Sequence, residues 1–260
     1  MSNTQMIFGF PHRARRRPQR GARPLVFALL LFSMIAFVPA GVFAQRNKTK
    51  TFTVRPDVRL ELKNRSGTVT VEGWNQNKIE ITASMESSAA NFAPSASNDA
   101  VEIDMMSTNA RGDVGDVNFR IRVPVNSTVD IQTLRGNITV RGVQGAMVRA
   151  HVTSEGDVEL TDIRANRVMA ENMMGNITFV GQLTESGFYK FESTQGDIRI
   201  RIPMDSGFRL MALSRSIDLG GFAQMFNGNN NNQRRMIGNV GNGAAEINAT
   251  SLRGSLSFIR

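Results

Sequence analysis

Two aspartates, Asp157 and Asp197, occupy the same position of a repeated phrase, two copies apart. If the copies stack as neighbouring strands, the carboxylates lie about 9 to 10 Å apart, close to the separation that an inverting glycosidase uses. The copy between them supplies Asn176 instead, and no long segment beside either aspartate could form a cleft. A tight turn alone explains Asn and Asp at such a position. We therefore interpret both aspartates as turn residues and predict no catalytic residue.

Metal and nucleophile chemistry has little support in the composition, because the chain holds two histidines and no cysteine. His12 belongs to the N-terminal leader, and His151 lies between the inward-facing Ala150 and Val152, so its side chain is predicted to point outward. One outward histidine cannot complete a zinc site or a nucleophilic dyad. The glycine repeats also differ in period from the nonapeptide repeats that bind calcium. We predict no metal site, no cofactor-binding residue and no cofactor.

The element that positions these residues is a phrase of the type Gly-Asn/Asp-Ile/Val. Its glycines are 20, 19 and 21 residues apart, at Gly136, Gly156, Gly175 and Gly196. A further copy begins at Gly67, and the register continues at Arg215 and Gly254. A fixed period of about 20 residues with strand-type alternation is typical of a repeat architecture.

Counted from each glycine, apolar residues recur at three places in the period. One pair follows at positions +2 and +4, another precedes at −7 and −5, and a third inward position lies at +7, occupied by Trp74, Val143, Ile163 and Phe222. The second copy carries Val148, Ala150 and Val152 one residue out of step. The pattern predicts an all-β fold, a three-sided, right-handed parallel β-solenoid with coils of about 20 residues.

The repeated polar positions predict corners and an outer face. The glycines are expected to have positive φ, and the residues that follow them are mostly turn formers. At +3, side chains of mixed charge point outward, which predicts a solvated sheet face; they are Thr70, Thr139, Glu159, Thr178, Arg199, Asp218 and Ser257. Two segments without this pattern are predicted to be surface loops, Ala83 to Asn98 (or an irregular hairpin) and the asparagine-rich run Gly228 to Gln233.

The N-terminal 44 residues have the features of a signal peptide. Six arginines precede the apolar stretch Leu25 to Val38, and a small-residue ending closes it at Ala44. Cleavage after Ala44 is the predicted outcome, and an uncleaved signal anchor over Leu25 to Ala44 is the alternative. The predicted organisation is thus a signal peptide over 1–44, a polar lead-in over 45–51 and the β-solenoid over 52–260.

The leader also accounts for most of the chain's positive charge. The net charge is +9, but the leader holds 6 of the 31 Lys and Arg and none of the 22 Asp and Glu. The remaining 25 basic and 22 acidic residues give only +3, so nucleic-acid binding loses its main support. We predict an exported protein that is periplasmic, at the cell surface or secreted, and that contacts membrane only through an uncleaved leader.

Several motifs resemble a bacterial family of unknown function described as putative adhesins, similar to head-GIN-type β-helix proteins. The resemblance covers roughly residues 52 to 260 and is carried by the repeated glycine phrases and by four segments: Ser66 to Trp74, Ile202 to Phe208, Ile237 to Gly243 and Thr250 to Gly254. It implies an exported, non-catalytic β-helix and supplies no established catalytic or binding residues.

The predicted function is an interaction surface, adhesin-like, for an envelope or surface polymer or protein. Two alternatives remain open from the sequence: a polysaccharide lyase or hydrolase, and a self-stacking scaffold. A wide, exposed groove with clustered acids would favour the enzyme, whereas an uncapped terminal coil would favour the scaffold.

Overall fold

A computed structural model describes residues 46–87, 90–106, 115–231 and 234–259. The predicted leader, 1–44, and the turn predicted at Arg111 to Asp113 lie outside these residues. The described segments all belong to one compact unit, Phe43–Arg260. Within them, no helix has the length and apolar character needed to cross a membrane.

The fold is all-β, as predicted, with 21 strands in the described residues and one short 3-10 helix at Gly220–Met225. In chain order the strands are β1 (Arg46–Thr53), β2 (Arg59–Ser66), β3 (Val69–Trp74), β4 (Lys78–Met85), β5 (Ser95–Ala96), β6 (Ala100–Asp104), β7 (Val117–Pro124), β8 (Thr128–Arg135), β9 (Ile138–Arg141), β10 (Met147–Glu155), β11 (Val158–Ile163), β12 (Arg167–Met174), β13 (Ile177–Gly181), β14 (Phe188–Gln195), β15 (Ile198–Arg201), β16 (Phe208–Leu213), β17 (Ser216–Asp218), β18 (Phe226–Asn231), β19 (Arg235–Val240), β20 (Ala245–Ser251) and β21 (Ser255–Phe258).

These strands form two sheets that face each other across one apolar core. The first sheet has the order β1-β4-β7-β3-β9-β11-β13-β15-β21-β17, and the second has the order β18-β19-β16-β20-β14-β12-β10-β8-β2-β6-β5. Each central coil places one strand in each sheet and pairs in parallel with its neighbours. Val129, Val148 and Val168 are thus in register in the second sheet. The result confirms the β-solenoid character of the repeat.

The third inward position lies at or beyond the end of the first-sheet strand of each coil: Ile163 is the last residue of β11, whereas Val143 and Phe222 follow β9 and β17. Val143, Ile163 and Phe222 are buried there, as predicted. Trp74 does not join them. It is half-buried, its Nε1–H donates to the Lys78 carbonyl at 2.8 Å, and the guanidinium of Arg122 lies 5.4 Å from its ring centroid. The prediction for Trp74 is wrong because the chain leaves the coil there and enters β4, which runs antiparallel to β7.

The out-of-step apolar residues of the second copy are explained by a bulge in β10. Val148 to Val152 stay in register with both neighbouring strands, and the register shifts only between Val152 and Glu155. One extra residue is absorbed at this bulge, so the apolar set stays inside although its distance from Gly156 differs from that in other coils.

The coils do not stack in chain order. The last coil, β20 and β21, lies between the coil of β14 and β15 and the coil of β16 and β17. At the other end, the coil of β2 and β3 lies between β6 and β7 on one side and β8 and β9 on the other. Both insertions add a parallel strand to each sheet, which the glycine spacing alone does not predict.

One end of the stack is covered by antiparallel strands. The expected polar lead-in contributes to β1, which pairs along β4 from Arg46 to Thr53. The predicted loop from Ala83 is likewise partly structured. Ala90 and Phe92 are buried, and the Phe92 ring centroid lies 6.0 Å from that of Phe119.

The other end is covered by a hairpin. Strands β18 and β19 pair antiparallel, and β19 pairs with β16. The expectation of an asparagine-rich surface loop is therefore wrong for residues 228–231, because backbone pairing with β19 places them in a strand; residues 232 and 233 lie outside the described chain. Beneath this end, Phe208, Phe222 and Phe258 form a cluster with ring centroids 5.4 to 5.7 Å apart.

Candidate functional site

The turn residues of successive coils form a hydrogen-bonded ladder at the corner where the chain enters the first sheet. Asn137 Oδ1 accepts from the backbone N–H of Asp157 at 2.8 Å, and Asp157 Oδ1 accepts from that of Asn176 at 2.7 Å. Asn176 Oδ1 accepts from Asp197 N–H at 3.0 Å, and Asp197 Oδ1 from Ser255 N–H at 2.9 Å. Each side chain thus satisfies a backbone donor of the next coil.

The same contacts set the chemistry of Asp197. A hydrogen bond from the backbone N–H of Ser255 lowers the pKa of the Asp197 carboxyl below its usual range, and a second one from the Ser255 hydroxyl, at 2.8 Å, lowers it further. A carboxyl stabilised in its charged form holds no proton at neutral pH, so it is a poor general acid. One oxygen of Asp157 is likewise committed to Asn176. The structure therefore places the two predicted turn residues where a turn function requires them.

Glycine is needed at this corner for two reasons, which Gly175 illustrates. Its φ of 129° lies in a region that side chains rarely adopt, and a Cβ there would collide with the carbonyl oxygen of Gly156. The equivalent glycines, Gly67, Gly136, Gly156 and Gly196, also have positive φ, as predicted. The coils can stack at the strand spacing only because these positions lack a side chain.

A second, buried ladder lines the inside of the same corner. Asn172 Nδ2 donates to the Gly156 carbonyl at 3.0 Å, Ser193 Oγ to that of Gly175 at 3.2 Å, and Ser251 Oγ to that of Gly196 at 2.7 Å. This ladder was not among the features predicted from the sequence. Its signal is a polar residue three positions before the corner glycine, where alternation predicts an inward side chain; Asn64, Thr133, Asn172, Ser193 and Ser251 share this position and are buried.

His151 faces outward on the second sheet, as predicted, but it has a partner. Its Nδ1 lies 3.0 Å from Glu171 Oε2, and Lys190 Nζ lies 2.9 Å from Glu171 Oε1. Partial burial by itself would raise the pKa of Glu171, but the hydrogen bonds from Lys190 and His151 outweigh burial and lower it. Hydrogen bonds to Glu171 and Glu192 raise the pKa of Lys190. His151, Glu171 and Lys190 thus form a row of charge pairs on neighbouring strands.

The predicted outward ladder at +3 lies on the exposed side of the first sheet. Strand register puts Thr70, Thr139, Glu159, Thr178 and Arg199 on adjacent strands, with Ser257 and Asp218 continuing the row. Beyond Thr70 the row extends through Arg120 to Thr82, whose hydroxyl lies 3.1 Å from that of Thr49. The face is flat and polar, and both charge signs occur in it.

The clefts of the described surface are open and small. The cleft at the corner ladder has a volume of about 440 Å³ and includes Glu155 and Asp157. Another, of about 370 Å³, lies between the connecting segments and includes Glu185 and Asp205. Among the residues that the structure describes, no group of three or more His, Asp or Glu side chains is placed to hold a metal ion.

Parallel coils in two sheets, with corner glycines and a hydrogen-bonded corner ladder, define this domain as an all-β protein of the β-solenoid type. Residues 42–257 match the family described as Toastrack DUF4097, and the chain belongs to that family. The match confirms the resemblance to a bacterial domain of unknown function. No curated protein matches the chain.

Several solved structures are similar to the chain, among them the following three. A putative cell adhesion protein from Clostridium sporogenes has 13% identity and a TM-score of 0.46, over 82% of this chain and 99% of that one. A putative adhesin from Bacteroides fragilis has 8% identity and a TM-score of 0.39, over 82% and 97%. A putative lipid binding protein from Parabacteroides distasonis has 8% identity and a TM-score of 0.32, over 83% and 97%.

Proposed function

We propose that this chain is an exported β-solenoid that acts, without catalysis, as an adhesin-like interaction surface in the cell envelope or outside the cell. The observation that carries the proposal is the use of the corner carboxylates. Asp157 and Asp197, the best candidates for an acid and base pair, are hydrogen-bond acceptors for the backbone of neighbouring coils. The outer faces of the two sheets, of ten and eleven strands, are then the surfaces that we propose meet a partner.

The polysaccharide lyase or hydrolase is the weaker alternative. An inverting hydrolase needs one carboxyl that keeps its proton and a groove in which two carboxyls face the sugar with one water between them. The lowered pKa of Asp197 opposes the first requirement. The corner cleft opposes the second, because its lining includes Asp157 but not Asp197.

The self-stacking scaffold also has less support than the interaction surface. Its signature would be an uncapped terminal coil whose strands could pair with another copy. In the described residues, β1 and β4 cover one end of the first sheet, and the β18 and β19 hairpin covers one end of the second. Arg46, Lys48 and Lys50 on β1 further oppose edge-to-edge pairing, because like charges would meet.

We also propose that the winding is three-sided and right-handed. Parallel strands joined by a crossover take the right-handed sense in nearly all known cases. Buried Val143 and Phe222, which lie outside the strands of both sheets, support a third side that carries core residues without forming a sheet.

Cell fractionation tests the proposed function, combined with capture of envelope material by the exported chain. We expect an exported chain whose N-terminus is Gln45 and which retains surface polymer or protein after washing. A chain found in the cytoplasm, or an exported chain that retains nothing from its own envelope, would contradict the proposal.

A further inference from the structure

The capped end of the second sheet carries an arginine-rich, apolar corner. We define the Arg-Leu corner as Leu213, Arg215, Arg234, Leu252 and Arg253, which surround a cleft of about 530 Å³ together with Ser214 and Ser251. The three arginines are exposed, and the lining of the cleft contains no acidic residue. Within the described residues none of the three forms an ion pair.

The apolar part of this corner is exposed to an unusual degree. Leu252 is 58% exposed and Leu213 is 45% exposed. Register extends the patch onto β19, because Ile237, 36% exposed, lies opposite Met211, and Arg235 lies opposite Leu213. Leu213 at the end of β16 and Leu252 just after β20 line one cleft and are rimmed by cations. They therefore differ from singly scattered apolar residues and indicate a contact surface.

The polar atoms inside the cleft do not point to a small ligand. Ser214 Oγ has two carbonyl acceptors within reach for its single O–H, that of Gly254 at 2.8 Å and that of Ser216 at 3.1 Å, and Ser251 Oγ donates to the carbonyl of Gly196. These hydroxyls are already satisfied, so the free donors are the guanidinium groups at the rim. The arrangement suits a broad partner that meets the rim and the leucines together.

We propose that the Arg-Leu corner docks onto the surface of an anionic phospholipid bilayer. Guanidinium groups match phosphate geometry, and cations near an anionic leaflet add favourable attraction. Exposed leucines beside those cations can enter the boundary between headgroups and acyl chains. A soluble polyanion would satisfy the arginines but would give Leu213 and Leu252 no contact, so the bilayer accounts for more of the surface.

This inference deepens the proposed function and rests on it only in placing the chain beside a membrane. The sequence predicted membrane contact through an uncleaved leader alone. The Arg-Leu corner would add a second contact through the folded domain, formed by the corners of two coils that are neighbours only because the last coil is inserted into the stack.

The test is co-sedimentation of the exported chain with phosphatidylglycerol-containing vesicles, compared with pure phosphatidylcholine vesicles. We expect Arg215→Glu with Arg253→Glu to weaken binding to the anionic vesicles about ten-fold or more. The control, Arg120→Glu with Arg201→Glu, makes the same charge change on the exposed side of the first sheet and should leave binding within about two-fold. All variants carry the same leader state, so any leader contribution cancels.

Leu252→Ser separates a bilayer from a soluble polyanion. It should weaken vesicle binding several-fold, whereas Leu134→Ser, at the corner of another coil and 45% exposed, should not. Equal vesicle binding by both charge variants would overturn the proposal. So would capture of dextran sulfate by parent and Leu252→Ser alike without vesicle binding. Because envelope capture is measured separately, such a result would leave the proposed function standing.

Discussion

Asp197 and Ser255 are 58 residues apart in sequence and hydrogen-bonded in the fold. Asp197 Oδ1 accepts from both the backbone N–H and the hydroxyl of Ser255, at 2.9 and 2.8 Å. The corner ladder therefore passes directly from β15 to β21 and omits the coil that follows in sequence. The C-terminal segment is an inner layer of the stack, and its side chains should matter for stability as much as those of central coils.

Phe258 tests this inner position. It is 4% exposed, and its ring stacks on that of Phe208 with centroids 5.4 Å apart. We expect Phe258→Ala to lower the free energy of unfolding by about 3 to 5 kcal/mol, because the change removes buried area and leaves a cavity. Phe226→Ala on the capping strand β18 is the control, since Phe226 is only partly buried. If urea unfolding showed small and equal losses of unfolding free energy in the two variants, the C-terminal strand β21 would be frayed instead.

Substitutions of Asp157 test how much the corner ladder contributes to stability. Asp157→Asn should change the free energy of unfolding by less than about 0.5 kcal/mol, because an amide oxygen can accept from Asn176 N–H as Asn137 does from Asp157. Asp157→Ala removes the acceptor and should cost about 0.5 to 1.5 kcal/mol. Chemical denaturation of both variants beside the parent measures the difference. Equal stability of the alanine and asparagine variants would show that the ladder contributes nothing.

The period, the corner glycines and the inward positions other than Trp74 could be predicted from the sequence, because alternation and glycine spacing are local properties. The stacking order could not. Leu210, Ile247 and Tyr189 occupy equivalent positions in their coils, so any of them could neighbour another, and long-range pairing decides which does. The inner ladder could also have been predicted, because Asn172 and Ser193 are polar residues at inward positions before the glycine. A pattern defined by apolar residues alone does not include them.

Glu171 makes stability depend on pH in a defined direction. Its folded pKa lies below the ordinary 4.5, so its stabilisation is present above that pH and is lost as pH falls through the folded pKa. The pKa of Lys190 is raised above 10.5, so its contribution is present below that pH and is lost only above it. We expect the urea midpoint difference between parent and Glu171→Gln to be constant at neutral pH and to shrink below about pH 4.5. Lys190→Gln should reduce this acid-side change, and an unaltered profile would show that the pair is not formed.

Shortening strand β18 tests whether the β18–β19 hairpin prevents self-association of the chain. Deleting residues 229–231 removes half of the pairing with β19 and exposes the backbone edge of that strand. We expect the shortened chain to self-associate at high concentration, since an open strand edge can pair with another copy. Light scattering of the parent and the deletion variant decides this. A monomeric deletion variant of unchanged stability would restore the sequence-based interpretation of these asparagines as a dispensable loop.

The proposal that Asp157 and Asp197 are not catalytic is tested most directly by comparing the parent with the double variant Asp157→Asn, Asp197→Asn on isolated envelope polysaccharide. Both the release of sugar ends and the amount of envelope material captured are recorded, with circular dichroism confirming the fold. Because the two carboxylates serve the corner ladder, we expect no release by either protein and equal capture by both. Release by the parent that is lost in the folded double variant would contradict the account and make Asp157 and Asp197 a catalytic pair.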